Sequence, residues 1–91
     1  MQWKLFADLA EVTGNRTVDV EVETPTTVDV ALEALFEAHP DLADRVLDES
    51  GELREHINLL KNGENIRHES GLATELAASD ELALFPPVSG G

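Results

Sequence analysis

Thr17-Val18-Asp19-Val20-Glu21-Val22-Glu23-Thr24-Pro25-Thr26-Thr27-Val28 decides the architecture. Valines alternate with acids at a period of two, the pattern of a strand with one face buried and one face wet, so Thr17 to Glu23 predicts a strand. Pro25 breaks it. Either Thr26 or Thr27 can cap the helix that follows, whose apolar positions Val28, Ala31, Leu32, Leu35 and Phe36 fall at i, i+3, i+4, i+7 and i+8. A strand whose valine face needs a core, followed at once by a helix with one apolar stripe, predicts helix packed on sheet.

Outward from this segment the elements fall into place. Gln2 to Ala7 reads as an opening strand. Asp8 with Glu11 three residues on predicts a capped short helix closed by Gly14. Pro40 ends the main helix after His39, and a second short helical stretch runs from about Asp41 to Leu47 into the Asp48-Glu49-Ser50-Gly51 turn. His56 to Lys61 predicts a strand, Asn62-Gly63 a tight hairpin, and Asn65 to His68 a brief return strand. Gly71 to Ala78 is left as one helical turn at most, and Leu82 to Phe85 is a last strand stopped by Pro86. The expected class is α+β: a mixed sheet of four to five strands on one main helix, with short extra helices. Residues 1–85 form one domain and 86–91 a tail.

Strand parity predicts what the free sheet face carries. If Trp3, Leu5, Ile57, Leu59, Leu82 and Leu84 point to the helix, then Phe6, Leu60 and Phe85 point away and make an apolar partner surface at the root of the tail.

Nineteen acids against six basic residues give a net charge of −13, spread through the whole chain. Such a surface repels nucleic acid. With no cysteine there is no disulfide, thiolate metal site or cysteine nucleophile. His39, His56 and His68 share no i, i+3 or i, i+4 spacing, so surface or capping roles are expected and no metal. The acids of Asp48-Glu49 and Asp80-Glu81 read as solvated turn residues, and no self-contained catalytic constellation is present. The N-terminus carries no signal-peptide pattern and no segment has the length of a membrane span, which predicts a soluble cytoplasmic protein without membrane contact.

The opening strand, the helix begun at Thr27, the Asn62-Gly63 hairpin and above all Asp80-Glu81-Leu82-Ala83-Leu84-Phe85-Pro86-Pro87-Val88-Ser89-Gly90-Gly91 resemble the small subunit of molybdopterin synthase, the MoaD/ThiS family. The likeness is greatest to its haloarchaeal branch of small archaeal modifiers, which the acidic composition also fits. The resemblance implies a β-grasp, ubiquitin-like fold and a role as sulfur carrier and protein modifier. It implies that Gly91 is activated by an E1-like adenylyltransferase that uses ATP, with no cofactor bound to the chain itself. The further partners it implies are the synthase large subunit, lysines of target proteins and a deconjugating protease.

The chemistry of the tail agrees. A carboxylate is a poor electrophile until adenylated; the acyl group then passes to a sulfur nucleophile, giving a thiocarboxylate, or to a lysine amine, giving an isopeptide. Gly90 and Gly91 have no Cβ and can thread a narrow channel, with Ser89 and Val88 behind them, while Pro86 and Pro87 hold the root extended. The six residues past Phe85 reach at most about 20 Å. Lys4 and Lys61, the only lysines, are possible acceptors if chains form. Two other classes stay open: a ubiquitin-like binding module whose tail is never activated, and a synthase subunit without conjugation.

The charge yields a first prediction. Self-repulsion of the acidic coat is screened when the Debye length falls to about 3 Å at molar salt. Thermal denaturation is expected to show a Tm that rises markedly from dilute buffer to molar KCl; a Tm indifferent to salt would refute it.

Overall fold

A computed structural model describes residues 1–86. The chain opens with β1 (Gln2–Leu5), α1 (Asp8–Thr13), β2 (Thr17–Asp19) and β3 (Thr26–Thr27). The main helix α2 (Val28–Ala38) follows, then a 3-10 turn at Pro40–Leu42 and α3 (Ala43–Val46). The second half holds β4 (Asn58–Lys61), β5 (Glu64–Asn65), β6 (Glu75–Leu76) and β7 (Glu81–Phe85), with 3-10 turns at Ile66–His68 and Gly71–Ala73.

Five strands form one mixed sheet in the order β2-β1-β7-β4-β5, and β3 with β6 forms a separate two-stranded ribbon. The central pair, β1 and β7, is parallel, with Trp3 opposite Leu82 and Leu5 opposite Leu84. The other pairs of the main sheet are antiparallel. Because paired residues share a face, Trp3, Leu5, Val18, Leu59, Leu82 and Leu84 all turn to one side. There they meet Val28, Ala31, Leu32 and Leu35 of α2, and all ten are buried. This is the helix-on-sheet arrangement of a β-grasp domain. Trp3 is fully buried and among the described residues its Nε1–H has no acceptor, so an indole whose orphaned donor costs about 1–3 kcal/mol is held by packing.

Local departures from the expected elements have local causes. β1 stops at Leu5, not Ala7, because Ala7 turns with φ 53° and ψ −130°. Ala7, not Asp8, is therefore the residue that caps α1, and no side chain bonds the free N–H groups; Asp8 lies inside the first turn. Thr27 does occupy the N-cap of α2, but its hydroxyl bonds the Asp29 carboxylate rather than the backbone. β2 ends at Asp19 instead of running to Glu23. Backbone bonds continue only to the Met1–Val20 pair, while Val22 is half-buried against the core. The strand expected from His56 starts at Asn58.

The hairpin forms where Asn62-Gly63 predicts it, with φ of 50° and 87° at the two turn residues. Its return strand is Glu64–Asn65, because the Asn65 side chain accepts from the Arg67 N–H (2.9 Å) and folds the next residues into a 3-10 turn that buries Ile66. β6 was not legible: two residues carry no period.

Asp48 and Asp80 are not idle turn acids. Asp48 Oδ1 accepts from the Ser50 N–H and hydroxyl and from the Glu52 N–H. Asp80 accepts from the Ala77 N–H (2.7 Å) and the Asn62 amide (2.8 Å). Asn62 in turn exchanges two bonds with the Glu81 backbone, both 2.9 Å, so the hairpin tip is fastened to the start of β7. The Ala77 N–H and the Asn62 amide, with a smaller pull from Lys61, hold the Asp80 carboxyl below its ordinary value. Among the described residues no helix is long and apolar enough to cross a membrane.

A depressed carboxyl contributes stability that is fully present above its unfolded pKa of about 4 and is lost as pH falls through the lower native value. Asp80→Asn is therefore expected to cost about 1–2 kcal/mol at pH 7 in urea unfolding. The gap to the wild type should narrow below pH ~4. A gap constant from pH 7 to pH 3 would show that the charge is not what matters.

Candidate functional site

The sheet face turned away from α2 can be mapped from the register. At one end Asp19, Gln2 and Glu81 lie side by side; in the middle row are Thr17, Lys4, Ala83, Leu60 and Asn65; at the other end Phe85 lies opposite Asn58. The face thus grades from charged to apolar toward the end at which the chain leaves β7.

Phe6 and Phe85 meet at that end. Their rings stack with centroids 4.1 Å apart and planes 9° from parallel. Phe6 is 38% exposed, one of two large hydrophobic side chains so open among the described residues. Leu60 is half-buried and stands across from Ala83, one pleat repeat from Phe85. Pro86 follows directly, half-buried. Pro87, Val88, Ser89, Gly90 and Gly91, the rest of the expected tail, lie outside the described residues.

The two lysines occupy different places. Lys4 stands on the open face and pairs with Glu81 at 3.0 Å, both side chains nearly half exposed. Lys61 lies on the other side of the hairpin, where Nζ donates to the Glu75 carbonyl (3.1 Å) and lies 3.9 Å from Asp80, tying β4 to β6. Its amine is already engaged in holding the fold. Among the described residues no cluster of three or more His, Asp or Glu side chains could hold a metal ion.

Two features of this end could not be read from the sequence. Ala7, the turn between β1 and α1, sits in a backbone region that L-residues rarely adopt, at a cost of order 1–3 kcal/mol. Its turn sets the exit direction of Phe6. Beside it a groove of about 780 Å³ runs between α1 and the β1–β2 pair, with Phe6, Ala7, Ala10 and Arg16 among its walls.

Half-exposed rings add little to a core. Phe6→Ala is expected to lower stability by about 1–2 kcal/mol, against 2–5 kcal/mol for Leu84→Ala, in urea unfolding followed by the emission of the single tryptophan, Trp3. Equal losses would place Phe6 in the core and remove it from the open face.

Comparison with known proteins places this geometry. Residues 3–91 match the ThiS family. The chain is 59% identical over 91 residues to small archaeal modifier protein 1 of Haloferax volcanii, covering all of both sequences. It superposes on the crystal structure of that protein with a TM-score of 0.89, over 100% of this chain and 98% of the other. It is also 32% identical over 80 residues to the sulfur carrier protein CysO of Mycobacterium bovis, covering 86% of this chain and 83% of that one.

Proposed function

The chain belongs to the ThiS family, and on that premise we propose that it is a ubiquitin-like sulfur carrier and protein modifier that works through its C-terminal glycine. The observation that carries this is the full-length 59% identity to an archaeal small modifier, joined by the likeness to a sulfur carrier. The two relatives are a modifier protein and a sulfur carrier, and the acidic coat fits likeness to a protein of Haloferax volcanii.

The proposed sequence of events begins with an E1-like adenylyltransferase. It joins the Gly91 carboxylate to the AMP part of ATP and releases pyrophosphate. Attack on the acyl carbon then expels AMP. A persulfide sulfur leads, after reductive cleavage of its S–S bond by a second thiol, to the Gly91 thiocarboxylate; a lysine amine leads to an isopeptide. The thiocarboxylate would serve a molybdopterin synthase large subunit, which would make this chain the small subunit of that enzyme. Isopeptides would be removed by a deconjugating protease. ATP is used by the activating enzyme and no cofactor is needed on the carrier; the supply of ATP places these steps in the cytoplasm.

The geometry supports the division of labour. Phe85 is paired in the sheet and stacked on Phe6, so a partner that grips the apolar end of the open face holds the point from which the tail must reach. The six residues past Phe85 can reach at most about 20 Å from it. Of the two lysines, Lys4 is the better acceptor, since Lys61 would have to release the Glu75 carbonyl.

Removal of Gly90 and Gly91 is expected to abolish both the mass increase of 16 Da on oxygen-to-sulfur exchange, about the difference between the two atomic masses, and high-mass conjugates. Binding by the folded domain should persist. Intact mass spectrometry and immunoblotting of cells carrying only the truncated form read both; retention of either product would overturn the proposal.

A further inference from the structure

The groove between α1 and the β1–β2 pair adjoins one edge of the open sheet face, and Lys4, Phe6 and Thr17 border both. Three independent features converge on it. First, the backbone at Ala7, in its wall, is held in a strained conformation, and strain of this kind collects at functional sites. Second, it presents an apolar lining, Phe6 and Ala10 with Ala7, on a chain that carries nineteen acidic residues. Third, among the described residues the Arg16 side chain has no ion-pair or hydrogen-bond partner. Among the described residues Lys4 pairs with Glu81, Arg45 with Asp8, Arg54 with the Asp44 carbonyl, Lys61 with the Glu75 carbonyl and Arg67 with the Arg54 carbonyl. In a chain of charge −13 an uncommitted guanidinium is not needed for solubility. The other charged side chains lining the groove are Lys4, already neutralised, and Glu11.

We infer that this groove docks a segment of the activating enzyme that presents an apolar side chain next to a carboxylate. The apolar side chain fills the space between Phe6 and Ala10, and the carboxylate pairs with Arg16. The occupant is identified by complementarity: an unpaired guanidinium matches a carboxylate in the fork geometry that lysine cannot offer, and the neighbouring lining is apolar. Every fate of Gly91 passes through activation first, and the groove adjoins the Phe6–Phe85 stack at the root of the tail. An enzyme holding the groove therefore holds the tail's point of departure. This inference rests on the proposed function, because it supposes that the carrier is adenylated.

The test is ATP–pyrophosphate exchange by the cognate activating enzyme with the full-length carrier as varied substrate, in molar KCl. At that ionic strength long-range steering is screened and only contact is read. Arg16→Glu and Ala10→Arg, the second filling the groove, are each expected to raise KM about five- to tenfold with kcat unchanged, since neither touches the acyl carbon. Arg16→Lys should recover only part of the loss. Arg67→Glu, the same charge change at a site away from the groove, should leave KM as in the wild type. Unperturbed Trp3 emission confirms that each variant is folded. If wild-type carrier supports exchange and neither groove variant changes KM, the docking site is wrong and the proposed function stands. An equal rise in KM for Arg67→Glu would likewise overturn it, because net charge would then be responsible. If the wild type supports no exchange, the proposed function itself fails, and this inference with it.

Discussion

The parallel pairing of β1 with β7 is the constraint on which the rest of the molecule depends. It joins the first strand to the last across more than seventy residues and places Trp3, Leu5, Leu82 and Leu84 in one layer beneath α2. A contact between strands so distant in sequence must overcome a large loop-closure cost before it is rewarded. The reward is burial of four large apolar side chains, each worth about 1.5–3 kcal/mol. Once made, the pairing leaves the outward residues of the same strands, Lys4, Ala83 and Phe85, on a face no helix covers.

The same pairing fixes where the tail leaves the domain. β7 is held on one side by β1 and on the other by β4, and its first residues are fastened by Asn62 and Asp80. A strand anchored along its whole length gives the residues beyond it a stable origin. Phe6 closes the arrangement by stacking on Phe85, and the strained turn at Ala7 carries the chain from Phe6 straight into α1. Rigid scaffold and short reach are what a carrier needs if several enzymes are to act on the same carbonyl.

Much of this was legible in the residues. The alternation of Val18 and Val20 with Asp19 and Glu21, the stripe of α2 and the Asn62-Gly63 turn each report a local period or a local dihedral requirement, so the α+β class followed from them. Parity alone placed Phe6, Leu60 and Phe85 opposite Trp3, Leu59 and Leu84. Strand ends were less legible, because they depend on partners: β2 is shortened by the extent of its ladder with β1, and β5 is cut by the Asn65 side chain. β3 and β6 are two residues each and exist only because Thr26 meets Leu76 and Thr27 meets Glu75. The helix cap at Asp8 failed for a related reason, since the demand for a sharp exit from β1 fell on Ala7 and outweighed a favourable side chain one residue later.

The sequence by itself determined the period of each main element, the side of each strand that seeks the core, the anionic coat and the chemical identity of Gly90-Gly91. These follow from single residues or from spacings within a few residues, where dihedral preference, side-chain polarity and charge act without reference to distant chain. The tertiary structure alone decided the order of the strands, the stacking of Phe6 on Phe85, the different surroundings of Lys4 and Lys61 and the use of Asp80 as a fastening. Each of these is a meeting of groups separated by many residues, and only the closed sheet brings such groups within bonding distance.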